Sequence, residues 1–139
     1  MKTVFKIRFS TLVHLVMCVG LLCTTGCTAM SGGNNIQGVR DFKNGNLYEA
    51  ERRFRTAVKL NPNSADAHYN LGAVLHRKGV QQQDKATLLE AEHLYNACLS
   101  LNGEHVEAHR EWAVLLAQTG RSQDAFKLLT NWKLRSPQS

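Results

Sequence analysis

The sequence of 139 residues lacks the motifs on which most enzyme active sites are built. It has no glycine-rich phosphate loop, no nucleophile elbow and no pair of carboxylates in a recognisable setting. Without such groups a chain has no evident means of bond making. We therefore predict a protein that is not an enzyme, has no catalytic residue and requires no cofactor.

Patterns of metal ligands are also scarce. His105 and His109 are four residues apart, a spacing that in principle places two imidazoles on one helix face. A companion cysteine or carboxylate at a suitable spacing is missing, and His105 falls at a predicted helix start. We predict no metal site, and we expect His68, His76 and His93 to occupy surface or groove positions.

The sequence has no apolar run long enough for a permanent membrane anchor. Leu12 to Leu22 is apolar apart from His14, but these eleven residues are too few for a helix to cross the bilayer, which takes about 20. Basic residues precede the run, at Lys2, Lys6 and Arg8. A basic start followed by a short apolar run is typical of a signal peptide, predicted here over residues 1–26.

The residues after the apolar run, Thr24-Thr25-Gly26-Cys27, resemble the lipobox of bacterial lipoproteins. In that family a small residue precedes a cysteine that is lipidated and becomes the mature amino terminus. The resemblance implies that Cys27 is lipidated, although Thr24 stands where leucine is usual. It also implies an outer-membrane lipoprotein facing the periplasm, because Thr28 replaces the aspartate common in inner-membrane lipoproteins. The alternative is an ordinary secretory signal, cleaved near Ala29, that releases the protein into the periplasm.

The basic charge of the chain is smaller than its composition suggests. Removing residues 1–26 takes away three of the 17 basic residues and no acidic one, which leaves 14 basic against 11 acidic residues. No basic patch with interleaved aromatic residues appears in the remainder, so we predict no nucleic-acid partner. The charged run from Glu49 to Arg55 is interpreted as a solvated helix face, with Glu49 pairing with Arg53.

Cysteine is too scarce for a disulfide framework. Of the four cysteines, Cys18 and Cys23 leave with the signal peptide and Cys27 is the predicted lipid site. Cys98 then remains alone, so no intrachain disulfide is possible. It stands at the position that corresponds to Ala57 earlier in the chain, and we expect a buried, inert side chain.

Small and aromatic residues recur along the rest of the chain. The small and the large residues are displaced by 41 residues and then by 34, whereas Gly45 lies 34 residues before Gly79. A 34-residue unit with seven extra residues between Gly79 and Ala91 explains these offsets. Each unit has a glycine that we expect to end a first helix, then a small residue and a large one in a second helix. These marks are Gly45, Gly79 and Gly120; Ala50, Ala91 and Ala125; and Phe54, Tyr95 and Leu129.

This spacing resembles the tetratricopeptide repeat, a helical hairpin of about 34 residues. The resemblance covers about Asn34 to Pro137 and implies an all-α, right-handed superhelix of three hairpins. The units are 34–64, 65–105 and 106–139, and residues 27–33 are predicted to form the lipidated cysteine and a flexible tether. Helices are predicted over 34–44, 47–60, 64–78, 87–101, 104–119 and 122–134.

Two further segments leave alternatives open. The polar insertion, residues 80–87, is predicted to lengthen the turn and the start of the next helix, or else to form a protruding contact loop. The apolar residues Leu128, Leu129 and Trp132 of the last helix either face inward completely or dock on a partner protein or a second copy.

The family resemblance implies a partner-binding groove on the inner face of the stack, where the first helices of successive units lie side by side. Its contact positions transfer to Val39, Phe42, Lys43, Tyr69, Ala73, His76, Arg77, Arg110, Val114 and Gln118. These residue types suit a peptide or protein partner of acidic character. We predict an interaction scaffold for envelope, pilus or secretion-complex assembly. The alternative is an accessory factor of a periplasmic enzyme system, for cell-wall synthesis or cytochrome maturation.

Overall fold

The computed structural model describes residues 30–135, which form six α-helices and, over that range, no strand. The predicted signal peptide and Cys27 lie outside the described residues. The helices are α1 (30–43), α2 (Leu47–Leu60), α3 (Ala65–Gln82), α4 (Lys85–Leu101), α5 (Val106–Gln118) and α6 (Ser122–Arg135). Consecutive helices pack as hairpins, and the hairpins stack on one another through α2 against α3 and α4 against α5. The predicted all-α architecture is confirmed.

Local sequence explains where most helices begin and end. Gly45 and Gly120 both have φ of +82°, a backbone conformation that glycine adopts without a steric penalty. They terminate the first helices of the first and third hairpins, as predicted. The Ser64 side chain accepts a hydrogen bond from the Ala67 backbone N–H and so caps α3.

Gly79 does not end a helix, so that prediction is wrong. The helix α3 continues through it to Gln82, and Gln83 adopts the left-handed conformation with φ of 53°. Gly79 is buried, and a Cβ atom there would lie 2.8 Å from the Leu88 side chain. Its small size serves close packing of α3 on α4. Most of the insertion is therefore helical, as an added turn of α3 and an earlier start of α4 at Lys85.

The tether is shorter than predicted, because residues 30–33 belong to α1. Ser31 is buried, with 4% of its surface exposed, and its Oγ donates a hydrogen bond of 3.1 Å to the Ala57 carbonyl. This contact fixes the start of α1 against the second half of α2. The prediction of a flexible segment up to Gly33 is wrong for these residues.

Each of the first two hairpins contributes one aromatic side chain from its second helix to the main core. Phe54 and Tyr95 are the largest fully buried side chains. Each meets a glycine of the preceding helix, since a Cβ at Gly38 would lie 2.6 Å from Phe54 and one at Gly72 would lie 3.0 Å from Tyr95. Because glycine has no side chain, the two helices of each hairpin lie close enough to bury an aromatic ring between them.

Cys98 is fully buried as a free thiol, which confirms its predicted role as a small core residue. Burial raises the pKa of the Cys98 thiol to about 11, so the thiolate is disfavoured at neutral pH.

The last hairpin is less completely packed. Leu128 and Trp132 are half-buried and face α5, but Leu129 is 37% exposed, and Phe126 and Leu134 are more than 70% exposed. The apolar side of α6 is therefore turned inward only in part. Self-association through this helix stays a prediction.

The charged face of α2 pairs differently from the prediction. Glu49 bonds Arg52 at 2.8 Å, and Arg53 instead bonds Asp41 of α1 at 2.6 Å. The prediction of a Glu49–Arg53 pair is wrong, because Arg53 lies on the side of α2 that faces α1. Its ion pair links the two helices of the first hairpin.

Substituting Gly38 with alanine is expected to lower the free energy of unfolding by about 1–3 kcal/mol, because the added Cβ collides with the buried ring of Phe54. Gly33 provides a matched control on the same helix, since nothing lies within 4 Å of a Cβ there. Gly33→Ala should stabilise by about 0.5–1 kcal/mol through helix propensity. Urea denaturation measures both, and an equal gain for the two variants would contradict the close contact.

Candidate functional site

A groove opens on the side of the stack formed by α1, α3 and α5, the first helices of the three hairpins. It has a volume of about 480 Å³. Seven of the ten predicted groove residues line it: Phe42, Tyr69, Ala73, His76, Arg77, Val114 and Gln118. The structure therefore brings side chains from all three hairpins to one concave surface.

Three predicted residues do not line the groove. Val39 is half-buried and packs against the main core, whereas Lys43 and Arg110 are exposed outside the groove wall. Three lining residues were not predicted: Val80, Gln81 and Glu111. Helical spacing gives a signal for each of them. Val80 and Gln81 each follow a predicted residue, His76 and Arg77, by one turn on the extended α3, and Glu111 lies one turn before Val114 on α5.

Arg77 lies over the ring of Phe42, with its guanidinium carbon 5.5 Å from the ring centroid. This cation–π contact joins α3 to the end of α1. Arg77 remains exposed, so its guanidinium can still donate hydrogen bonds to a bound group. The contact positions a cation at the edge of the groove.

His76 forms part of the groove floor and is only 7% exposed. Its Nε2 lies 2.9 Å from Oε1 of Gln118. An amide oxygen only accepts, so Nε2 carries the ring hydrogen and donates a hydrogen bond to it. The other nitrogen, Nδ1, faces the Tyr95 hydroxyl at 3.4 Å and the Glu111 carboxylate at 4.0 Å. These contacts hold the imidazole and the Gln118 amide in fixed orientations.

Tyr69 presents a half-buried ring at the opposite end of the groove. Its centroid lies 4.8 Å from that of His105 and 6.2 Å from that of Tyr95. Burial raises the pKa of Tyr69, and the nearby carboxylates of Glu111 and Glu107 raise it further. The phenol therefore keeps its proton at neutral pH and is available as a hydrogen-bond donor.

The two histidines with metal-like spacing have structural partners. His105 caps α5, because its Nδ1 accepts a hydrogen bond of 3.2 Å from the Ala108 N–H. His109 donates from Nε2 to the Gly103 carbonyl at 2.9 Å. Among residues 30–135, no three His, Cys, Asp or Glu side chains come together in a group that could hold a metal ion.

The groove combines aromatic rings, aliphatic side chains, an amide and an exposed guanidinium. Such surfaces recognise peptide segments by apolar contact and hydrogen bonding. Within the described range, none of the helices has the length and apolar character needed to cross a membrane.

Comparisons with known proteins agree with this architecture. Residues 38–79 match the tetratricopeptide repeat family, described as TPR repeat. A sequence comparison with curated proteins gives no match.

Similar folds occur among solved structures. A crystal structure of MamA matches with a TM-score of 0.67 and 21% identity, covering 79% of this chain and 60% of that one. The structure of Pseudomonas aeruginosa pilF matches with a TM-score of 0.66 and 19% identity, covering 81% and 48%. The structure described as the CopN–Scc3 complex matches with a TM-score of 0.66 and 20% identity, covering 78% and 60%.

This chain thus spans about half to three-fifths of the chains that it resembles. At these identities the likeness concerns the fold alone, and no enzymatic family is indicated. The repeat match and the fold similarities together identify the architecture as an all-α stack of tetratricopeptide-like hairpins.

Proposed function

We propose that this protein is a membrane-anchored interaction module that binds a peptide or protein partner in the concave groove. The observation that carries the proposal is the convergence of Phe42, Tyr69 and Arg77, from α1 and α3, on a single groove. Aromatic side chains and arginine are the residue types that contribute most to protein–protein affinity. The partner segment fits the groove as an extended or helical peptide.

The charges at the groove favour a partner segment with acidic side chains. Arg77 is exposed at the edge of the groove, and Arg110 is exposed outside the groove wall, near Tyr69. The carboxylate nearest the groove floor, that of Glu111, is half-buried beside His76. Exposed cations around a less exposed carboxylate attract a partner carboxylate and orient it towards the rim.

The anchor in this proposal is a lipid on Cys27, with the protein on the outer membrane facing the periplasm. The lipobox-like sequence before Cys27 supports this assignment. Helix α1 is already formed at residue 30, so at most about 10 Å of chain separates the anchor from the folded domain. The groove would then stand close to the membrane surface.

The proposed role of the module is assembly of an envelope, pilus or secretion complex. Two of the similar folds support it: pilF of Pseudomonas aeruginosa, and the structure of CopN in complex with Scc3, in which two proteins are bound to each other. The layout of a short anchor followed by a repeat domain suits a scaffold that holds a partner near the membrane.

Tyr69→Ala and Arg77→Glu are each expected to weaken partner binding by about tenfold or more, because each removes an aromatic or charged contact worth about 1–2 kcal/mol. Partners recovered from detergent-solubilised membranes are identified by mass spectrometry, and their affinities are then measured with purified components. Lys59→Glu is the matched control, since Lys59 is exposed on α2 away from the groove. Circular dichroism checks that each variant is folded.

Unchanged affinity for both groove variants would refute the groove as the binding site. The identity of the partner decides between assembly pathways. Pilus or secretion components support the scaffold role, whereas cell-wall or haem enzymes support an accessory of a periplasmic enzyme system.

A further inference from the structure

A second cleft lies on another part of the stack, between the end of α4, the helix α5 and the end of α6. Its volume is about 370 Å³, at the small end of the range for ligand pockets. It shares no lining residue with the concave groove. Both tryptophans of the chain, Trp112 and Trp132, line it together with His109.

These three side chains hold the buried polar atoms that lack a hydrogen-bond partner within residues 30–135. The atoms are Nδ1 of His109 and the indole Nε1 of Trp112 and of Trp132. His109 is only 7% exposed. Nearly all buried polar groups in folded proteins are paired, because an unpaired one costs stability. Three unpaired nitrogens on residues that line one cleft therefore point to a bound ligand.

The hydrogen-bond capacity of the three nitrogens restricts the ligand. An indole Nε1 can only donate, so the two tryptophans need acceptor atoms. His109 donates from Nε2 to the Gly103 carbonyl, so its Nδ1 accepts when the ring is neutral and donates when it is protonated. The His109 ring is stacked on that of Trp132, with centroids 4.4 Å apart and planes 10° apart. The two indole N–H groups therefore require acceptor oxygens, and Nδ1 of His109 can donate to one only when its ring is protonated.

The remaining walls combine donors and apolar surface. Arg135, from the last turn of α6, adds a guanidinium, which binds carboxylates in a two-point geometry. Asn96, Asn131 and Ser100 add further polar groups, and Glu104 contributes a carboxylate to the wall. Leu99 and Leu128 supply aliphatic surface. The cleft therefore offers both hydrogen-bond donors and apolar surface to a ligand.

We propose that this cleft binds a carboxylate that carries a small apolar group, either as a free small molecule or as the carboxyl end of a peptide. The carboxylate oxygens accept from the indole N–H groups and from Arg135, and the apolar group packs on the leucine side chains. The indole nitrogens have almost no exposed surface, so binding requires a rotation of the half-buried Trp132 ring. The proposal is independent of the function assigned to the concave groove.

Nuclear magnetic resonance tests the proposal directly. The chain has two tryptophans, so the full protein, purified in a non-ionic detergent, gives two indole N–H signals, both from this cleft. The probe is N-acetyl-leucine, and N-acetyl-leucinamide is the same molecule with the carboxylate replaced by an amide. We expect the acid to shift both indole signals saturably and the amide to bind about tenfold more weakly.

Two variants localise the effect. Arg135→Gln should weaken binding of the acid by about fivefold or more, because it removes the charge-assisted hydrogen bonds. Lys127→Gln is the control, since Lys127 is exposed on α6 and does not line the cleft. It should leave the affinity unchanged.

A short peptide that ends in leucine, with a free or an amidated carboxyl terminus, separates the two sources of the carboxylate. Tighter binding of the peptide acid than of N-acetyl-leucine assigns the site to peptide ends, and equal or weaker binding assigns it to small molecules. Indole signals that stay unmoved at about 10 mM probe, a concentration that detects millimolar dissociation constants, would overturn the proposal. Equal shifts with acid and amide, or full binding by Arg135→Gln, would overturn it as well.

Discussion

Replacing Tyr95 with alanine is expected to lower the free energy of unfolding by about 3–5 kcal/mol, as for other buried aromatic residues. Tyr95 has no exposed surface and is the largest of the fully buried side chains. Its ring touches Gly72 of the preceding helix and lies edge-on to His76, with centroids 6.2 Å apart. Removing it leaves a cavity where the second hairpin closes on itself.

A domain of this size has a total stability of about 5–15 kcal/mol, so Tyr95→Ala is expected to leave the chain close to unfolding at 37 °C. Urea denaturation followed by far-ultraviolet circular dichroism measures the change over the whole stack. Tyr95→Phe is the control, because it keeps the ring and loses only a long hydroxyl contact of 3.4 Å with His76. It should cost less than about 1.5 kcal/mol. Equal denaturation midpoints for the two variants would contradict the role of this ring in the core.

Replacing Cys27 with serine is expected to abolish membrane attachment if Cys27 carries the proposed lipid. Acyl chains contribute about 0.8 kcal/mol per buried CH₂, so the lipidated protein stays with the membrane and the serine variant has no comparable anchor. Metabolic labelling with a palmitate analogue should mark the wild-type protein and not Cys27→Ser. Fractionation should then find the unlabelled variant released from the membranes.

Two other cysteines provide controls for this experiment. Cys18 and Cys23 lie within the predicted signal peptide, and each follows a large apolar residue unsuited to a lipobox. Cys18→Ser and Cys23→Ser should both keep the label and the membrane attachment. A label that persists in Cys27→Ser, or a protein whose fractionation resists both that substitution and globomycin, would argue against a lipoprotein.

The spacing of the repeats predicts the architecture because residues that recur in each unit lie where paired helices touch. Gly72 and Tyr95 meet across the second hairpin as Gly38 and Phe54 meet across the first. A small residue opposite a large one in successive hairpins leaves little freedom for any other pairing of the helices. The sequence therefore predicts six helices in pairs, and residues 30–135 form them.

Helix ends were harder to predict where one residue type serves two purposes. Gly45 and Gly79 look alike in the sequence, yet Gly45 turns the chain at φ +82° and Gly79 makes room for Leu88. The difference depends on a neighbour in space, which one sequence does not reveal. The start of α1 was missed for a similar reason, because the bond from Ser31 to Ala57 joins residues far apart in the chain.

The concave groove was predicted in large part, because its positions follow from the order of the helices. Seven of the ten predicted residues line it, whereas Val39 packs inward and Lys43 and Arg110 lie outside. Val80 was missed because α3 was predicted to end at residue 78, whereas it continues to Gln82. The second cleft depends on the close approach of three helix segments, and the sequence analysis did not predict it.

The position of both tryptophans in the last hairpin has a consequence for how the unfolding of this protein is measured. Indole emission reports on α5 and α6 alone, whereas the amide signal of circular dichroism averages over all described helices. Stacked repeats can lose their end units before their centre. Fluorescence and circular dichroism melting curves that separate would therefore record fraying from the carboxyl-terminal end, and curves that coincide would show a single cooperative transition.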